Sequence, residues 1–103
     1  GVRKSATGRA YLAKDHANHS DFKEGDILVI SAMEPEYMEL AKTAAGLVTV
    51  EDGFTSDGAI AAIHFGIPAI LGGKDALTKI KDGQIITIDG ESGSVFAGLM
   101  GEF

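Results

Sequence analysis

Cysteine is absent from the 103 residues, and with it go disulfides, thiolate nucleophiles and cysteine-based zinc sites. Basic residues are scarce. Nine Lys and Arg stand against fifteen Asp and Glu, a formal charge of −6, and the cations are scattered along the chain. The electropositive footprint of a nucleic-acid binder is therefore missing. No apolar run approaches the roughly 18 to 20 residues that span a bilayer, and the opening GVRKSATGR has no hydrophobic signal core behind its basic residues. These absences suit a soluble, cytoplasmic protein with neither nucleic acid nor membrane as a partner. The chain opens on Gly1 rather than on Met, which suggests a piece of a longer protein. Residues 1–7 read as a linker or remnant, and residues 8–103 as one domain.

At 45% hydrophobic content that domain can bury a core, although a chain of this size has little surplus stability. Residues 8–15, GRAYLAKD, alternate small or apolar with polar positions and predict a strand. The polar HANHSDFKEGD after them predicts a surface loop. DILVISA, residues 26–32, is the apolar, β-branched run of a strand covered on both faces. EPEYMELAKTA follows, with Pro35 at a helix start and Met38, Ala41 and Ala45 at helical spacing, so residues 35–45 predict a helix. GLVTVE is a further buried-type strand, and DGFTSD turns the chain into the helix GAIAAIHFG. IPAILG (strand), DALTKI (short helix capped by Asp75), DGQIITIDG (strand) and GSVFAG (strand) complete a layered α/β order. No internal repeat interrupts it.

The turn DGFTSDG is the candidate site. It brings Thr55 and Ser56 to a helix start, where hydroxyls and free backbone N–H groups gather at the positive end of the helix dipole. Such a place holds an anion. The plainer role of Thr and Ser before a helix is capping, and it is the commoner one. The same loop could offer hard oxygens from Glu51, Asp52, Thr55 and Asp57 to magnesium or calcium. It lacks a dedicated ligand pattern such as the EF-hand, so solvated or capping carboxylates are the expected outcome and no metal site is assigned.

The succession GDILV, a Pro-containing helix, GLVTVEDGFTSDGAIAAIHFGIPAILG and DGQIITIDGESGSVFAG resembles the phosphohistidine, or swivelling, domain of phosphoenolpyruvate-utilising enzymes. The resemblance covers nearly the whole chain. That family includes phosphoenolpyruvate synthase, pyruvate phosphate dikinase and the phosphotransferase-system enzyme I. It carries the signature Gly-Gly-x-Thr-Ser-His-Ala-Ala before a helix and a Gly-Ile-Pro strand. The ending ITIDGESGSVFAG and the short AAIHFGIPAILG look most like the extra C-terminal domain of some bacterial pyruvate kinases. The resemblance implies a swivelling β/β/α fold. It also implies partnership with the catalytic domains of a parent enzyme of glycolysis or phosphoenolpyruvate metabolism, a kinase or other phosphotransferase that oligomerises through the parent. Magnesium is expected only in that parent, and no cofactor in the domain.

The departures from the signature decide what this copy can do. The residue that is phosphorylated in the family is the His after Thr-Ser, and here Thr55 and Ser56 precede Asp57. Asp52 replaces the first Gly, Gly53 retains the second, Gly58 replaces the Ala after the His, and Met33 stands where relatives often have Thr. A neutral imidazole attacks phosphorus to give a labile N–P bond. A carboxylate would give an acyl phosphate and usually needs a divalent metal to offset charge repulsion. Glu51, Asp52 and Asp57 together repel a phosphate-bearing substrate. No catalytic residue is assigned. Gly53, Thr55, Ser56, Asp57 and Gly58 are the anion-binding candidates, Asp57 being read as a helix N-cap. The domain therefore reads as a degenerate, non-catalytic structural or regulatory module, with a phosphoryl-carrying domain as the alternative.

The histidines offer no substitute nucleophile. His64 lies about two helical turns, roughly 10 Å, beyond Asp57. His16 and His19 fall in the polar loop and read as solvated, as do Lys74, Lys79 and Lys81.

Overall fold

The computed structural model describes residues 5–50, 57–72, 76–97 and 101–102. The strands are β1 (Ser5–Leu12), β2 (Ile27–Ile30), β3 (Gly46–Thr49), β4 (Ala69–Ile70), β5 (Ile85–Asp89), β6 (Ser94–Ala97) and β7 (Gly101–Glu102). The helices are α1 (Pro35–Ala41), α2 (Asp57–Phe65) and α3 (Ala76–Lys79). Among the described residues the strands form a seven-stranded sheet in the order β4-β3-β2-β1-β5-β6-β7.

β1 joins two unlike halves of that sheet. Its first part, from Ser5 opposite Asp89 to Arg9 opposite Ile85, runs antiparallel to β5, and β5, β6 and β7 continue antiparallel. Its last part, Ala10 to Leu12, runs parallel to β2, and β2, β3 and β4 continue parallel. α1 and α2 are the crossovers from β2 to β3 and from β3 to β4, while residues 13–26 cross from β1 to β2 without an α-helix.

Side chains alternate between two cores because successive strand residues point to opposite faces. Ile27, Val29, Val48 and Ile70 of the parallel half meet Ala6, Ile86 and Ile88 of the antiparallel half on one face. Leu28, Ile30 and Leu47 meet Ala41, Ala44, Ala61 and Ala62 on the other. The layers are thus sheet, sheet and helix, the β/β/α order expected. Small residues on the helix side let backbones approach the sheet closely. The two sheet layers are close as well: a Cβ on Gly46 would lie 2.6 Å from Ile88 Cδ1. Where β1 runs beside the turn before β2, a Cβ on Gly8 would run into the carbonyl oxygen of Gly25.

Several boundaries differ from the sequence reading. β1 starts at Ser5, so residues 5–7, read as linker, lie in the sheet, with Ala6 buried. α1 ends at Ala41 and not at residue 45. Thr43 N–H bonds back to Leu40 O, Gly25 N–H takes Thr43 O, and Ala45 N–H donates to Asp26 O, which draws the chain out of the helix and into β3. Ala45 consequently packs on the core opposite to that of Ala41. The short β7 was not anticipated.

Candidate functional site

The parallel strands end along one edge of the sheet, the edge at which ligands bind in open α/β sheets. β2 leads from this edge through residues 31–34 into α1, and β3 leads through residues 51–56 into α2. The two exits are tied together: Thr49 Oγ1 donates to Ser31 O (3.2 Å), and Val50 N–H donates to Ile30 O (3.3 Å).

α2 begins one residue earlier than the sequence places it. Asp57 is its first residue, one position inside the capping place expected of it. Gly53, Thr55 and Ser56 lie outside the described residues, as do Glu51, Asp52, Asp75 and Lys74, and so do the side chains of Asp57 and Gly58. Met33, the position at which relatives often have Thr, is 7% exposed and packs in the helix-side core. With Glu34, Pro35, Met38 and Glu39 it lines a groove of about 470 Å³ beside α1. Of the two carboxylates there, Glu39 is paired with Lys42 at 3.0 Å. His64 is exposed in the last turn of α2 and lies edge-on to Phe65.

The reading of His16 and His19 as solvated is overturned. Both side chains are largely covered, at 15% and 13% exposure. The His16 ring stacks on Tyr11, centroids 4.1 Å apart and planes 13° from parallel. Its Nδ1 faces Asp21 Oδ2 at 2.8 Å and its Nε2 faces Asp82 Oδ1 at 2.9 Å. The Tyr11 hydroxyl donates to Asp21 Oδ1 at 2.7 Å. That proton being committed, His19 Nδ1, 3.1 Å from the same oxygen, is the donor there. His19 Nε2 then lies 3.7 Å from Glu36 in the first turn of α1. Asp82 Oδ1 also accepts Leu12 N–H at 2.9 Å.

These contacts set the protonation equilibria. The hydrogen bond to Asp82 raises the His16 pKa above its ordinary 6.5 against the opposing effect of burial, with the Asp21 charge adding to it. The hydrogen bond from Tyr11 holds Asp21 below 3.8. Burial pushes Asp82 up, but the His16 and Leu12 hydrogen bonds outweigh it and leave that carboxyl lowered. Tyr11 is raised, first by burial and then by its bond to Asp21. Tyr37 is raised by burial and by Glu34 and Glu36. Beside this cluster Arg9 grips the buried Asp26 through Nη2 (2.6 Å) and Nε (3.3 Å), a bond that raises the guanidinium pKa. The density of His and Asp in HANHSD was visible in the sequence. The partner that completes the cluster, Asp82, lies 66 residues away, and only the pairing of β1 with the chain before β5 brings it in.

Among the described residues no group of three or more His, Asp or Glu side chains is arranged to hold a metal, and no helix is long and apolar enough to cross a membrane.

Comparison with known proteins gives a consistent result. The family model for the mobile domain of PEP-utilising enzymes matches residues 22–93. Pyruvate kinase 2 of Synechocystis sp. is 35% identical over 96 residues, which are 93% of this chain and 16% of that protein. The phosphoenolpyruvate synthase of Aquifex aeolicus is 42% identical over 98 residues, 92% of this chain and 11% of that protein. The chain thus spans less than a fifth of the length of either relative. A solution structure of an Enzyme I protein superposes with a TM-score of 0.64 at 28% identity, covering 79% of this chain and 34% of that one.

Proposed function

Since the chain belongs to the family of mobile domains of PEP-utilising enzymes, we propose that it serves a larger, cytoplasmic phosphoenolpyruvate-linked enzyme as a structural or regulatory module that itself carries no phosphate. The observation that carries this reading is Asp57, the first residue of α2, at the place where the family signature has the histidine that accepts the phosphoryl group. A carboxylate there lacks the neutral nitrogen nucleophile. With Glu51 and Asp52 just before it in the chain, it presents negative charge to an incoming phosphate. The partners in this proposal are the catalytic domains of the parent, which would bind the magnesium. The parent is of the pyruvate kinase kind.

A second reading, favoured by the 42% identity to a phosphoenolpyruvate synthase, keeps the domain as a phosphoryl carrier with Asp57 as acceptor. The Asp57 Oδ would attack phosphorus, the bond from phosphorus to the donor's oxygen would break, and an acyl phosphate would result. Gly53, Thr55, Ser56 and the backbone amides at the start of α2, up to Gly58, would hold the transferred group. Incubation with phosphoenolpyruvate, magnesium and the parent's catalytic domains, followed by intact-mass measurement, separates the two. An unchanged mass is expected. An added phosphate that disappears in Asp57→Asn would overturn the first reading in favour of the second.

A further inference from the structure

We propose that His16 is a protonation-controlled latch that, as imidazolium, ties the loop between β1 and β2 to the turn before β5, and that releases the loop when it loses its proton. The geometry requires the charged form. Both ring nitrogens face carboxylate oxygens, Asp21 Oδ2 at 2.8 Å and Asp82 Oδ1 at 2.9 Å. A neutral imidazole has one N–H and can donate to one of them. Its other nitrogen would then set a lone pair against a carboxylate oxygen at under 3 Å, so that one carboxylate must swing away.

The groups that face this ring come from every element around it. Tyr11 of β1 lies under it and donates to Asp21, and His19 of the loop shares the Tyr11 hydroxyl. Glu36 and Tyr37 of α1 reach the cluster through His19. Arg9 is held by Asp26 and by the backbone oxygen of Asp21. Only Asp82 comes from the far side of the loop, and Asp82 is also bonded to β1 through Leu12 N–H. The His16 to Asp82 contact therefore ties the loop to the turn before β5, in addition to the bonds that Tyr11 and Arg9 of β1 make to Asp21. The contacts of His19 with Glu36 and Tyr37 pass the consequence on to the first turn of α1. Release makes the loop and that turn sensitive to pH in a range where the carboxylates stay ionised.

Site-resolved NMR of the 103-residue chain tests this, with the histidine ring nitrogens followed from pH 5 to 9. Amide exchange of residues 13–26 is followed over the same range, each rate being divided by its intrinsic rate. His16 is expected to titrate above the ordinary histidine value, with loop protection falling through the same midpoint. In Asp82→Asn the midpoint drops, and in Asp21→Asn it drops less. If Asp82→Asn does not fold, the unmodified chain remains decisive. A His16 midpoint at or below the ordinary value, or loop protection independent of pH, overturns the latch.

Discussion

The imidazole of His16 lies flat on the phenol of Tyr11, 4.1 Å between centroids, and the same phenol binds the carboxylate that faces the imidazole. One β1 side chain therefore positions both members of an ion pair in the loop that follows it. Tyr11 is 1% exposed, and its edge meets Phe22 at 5.0 Å, so the platform is fixed by the helix-side core.

The contribution of this cluster to stability depends on pH with a definite sign. His16 has a raised folded-state pKa, so its contribution is complete below the ordinary 6.5 and is lost as pH rises through the folded value. Asp21 and Asp82 are lowered, so theirs is present above the ordinary 3.8 and is lost as pH falls through the folded values. Between these limits the unfolding free energy of the natural chain should exceed that of His16→Gln. The difference should shrink toward alkaline pH in urea titrations. A difference that stays constant from pH 5 to 9 contradicts the assignment.

Arg9→Met should cost about 1–3 kcal/mol, because it leaves the carboxylate of the 5%-exposed Asp26 with the Lys23 N–H as its one remaining partner among the described residues. Denaturant midpoints measure it. The double variant Arg9→Met, Asp26→Leu should recover part of the loss, because no carboxylate is then left buried without its partner. If the double variant loses the sum of the two single changes, the pair is not coupled.

Gly8→Ala should destabilise by roughly 1–3 kcal/mol. The new methyl meets a backbone oxygen, that of Gly25, which cannot rotate away as a side chain can. Thermal unfolding of the alanine variant at or above the parental Tm would show that β1 and the turn at Gly25 separate more easily than their packing indicates.

Ile88→Ala removes a fully buried side chain from between the two sheet layers, and a loss of about 2–5 kcal/mol is expected. Ile85→Ala, on the same strand but 48% exposed, should change stability by about 0.5 kcal/mol or less. Equal losses at both positions would mean that the antiparallel half does not close over the parallel half in solution.

Asp57→His restores the residue type of the family signature, yet Asp52 still stands where the signature has Gly. Phosphate incorporation from phosphoenolpyruvate with the parent's catalytic domains should therefore be weak in the single variant. It should increase in Asp57→His, Asp52→Gly. Intact mass reads both, and full incorporation in the single variant would remove Asp52 from the account.

What the chain determined by itself was its layered order. Runs such as ILVI and GLVT, short and β-branched between turn signals, read as strands covered on both faces, the small residues of GAIAAI suit a helix pressed onto a sheet, and the phosphohistidine-like loop stands out by spacing. The start of α2 was legible to within one residue for that reason: Asp57, read as the cap, is its first residue. Contacts between distant residues were not legible. The division of β1 between two partners, the inclusion of residues 5–7 in the sheet, and the burial of His16 between Asp21 and Asp82 all depend on register across long stretches of chain. A polar loop reads the same in sequence whether its histidines face water or carboxylates. Only the tertiary structure, by pairing β1 with the chain before β5, decided that His16 would be held between two charges.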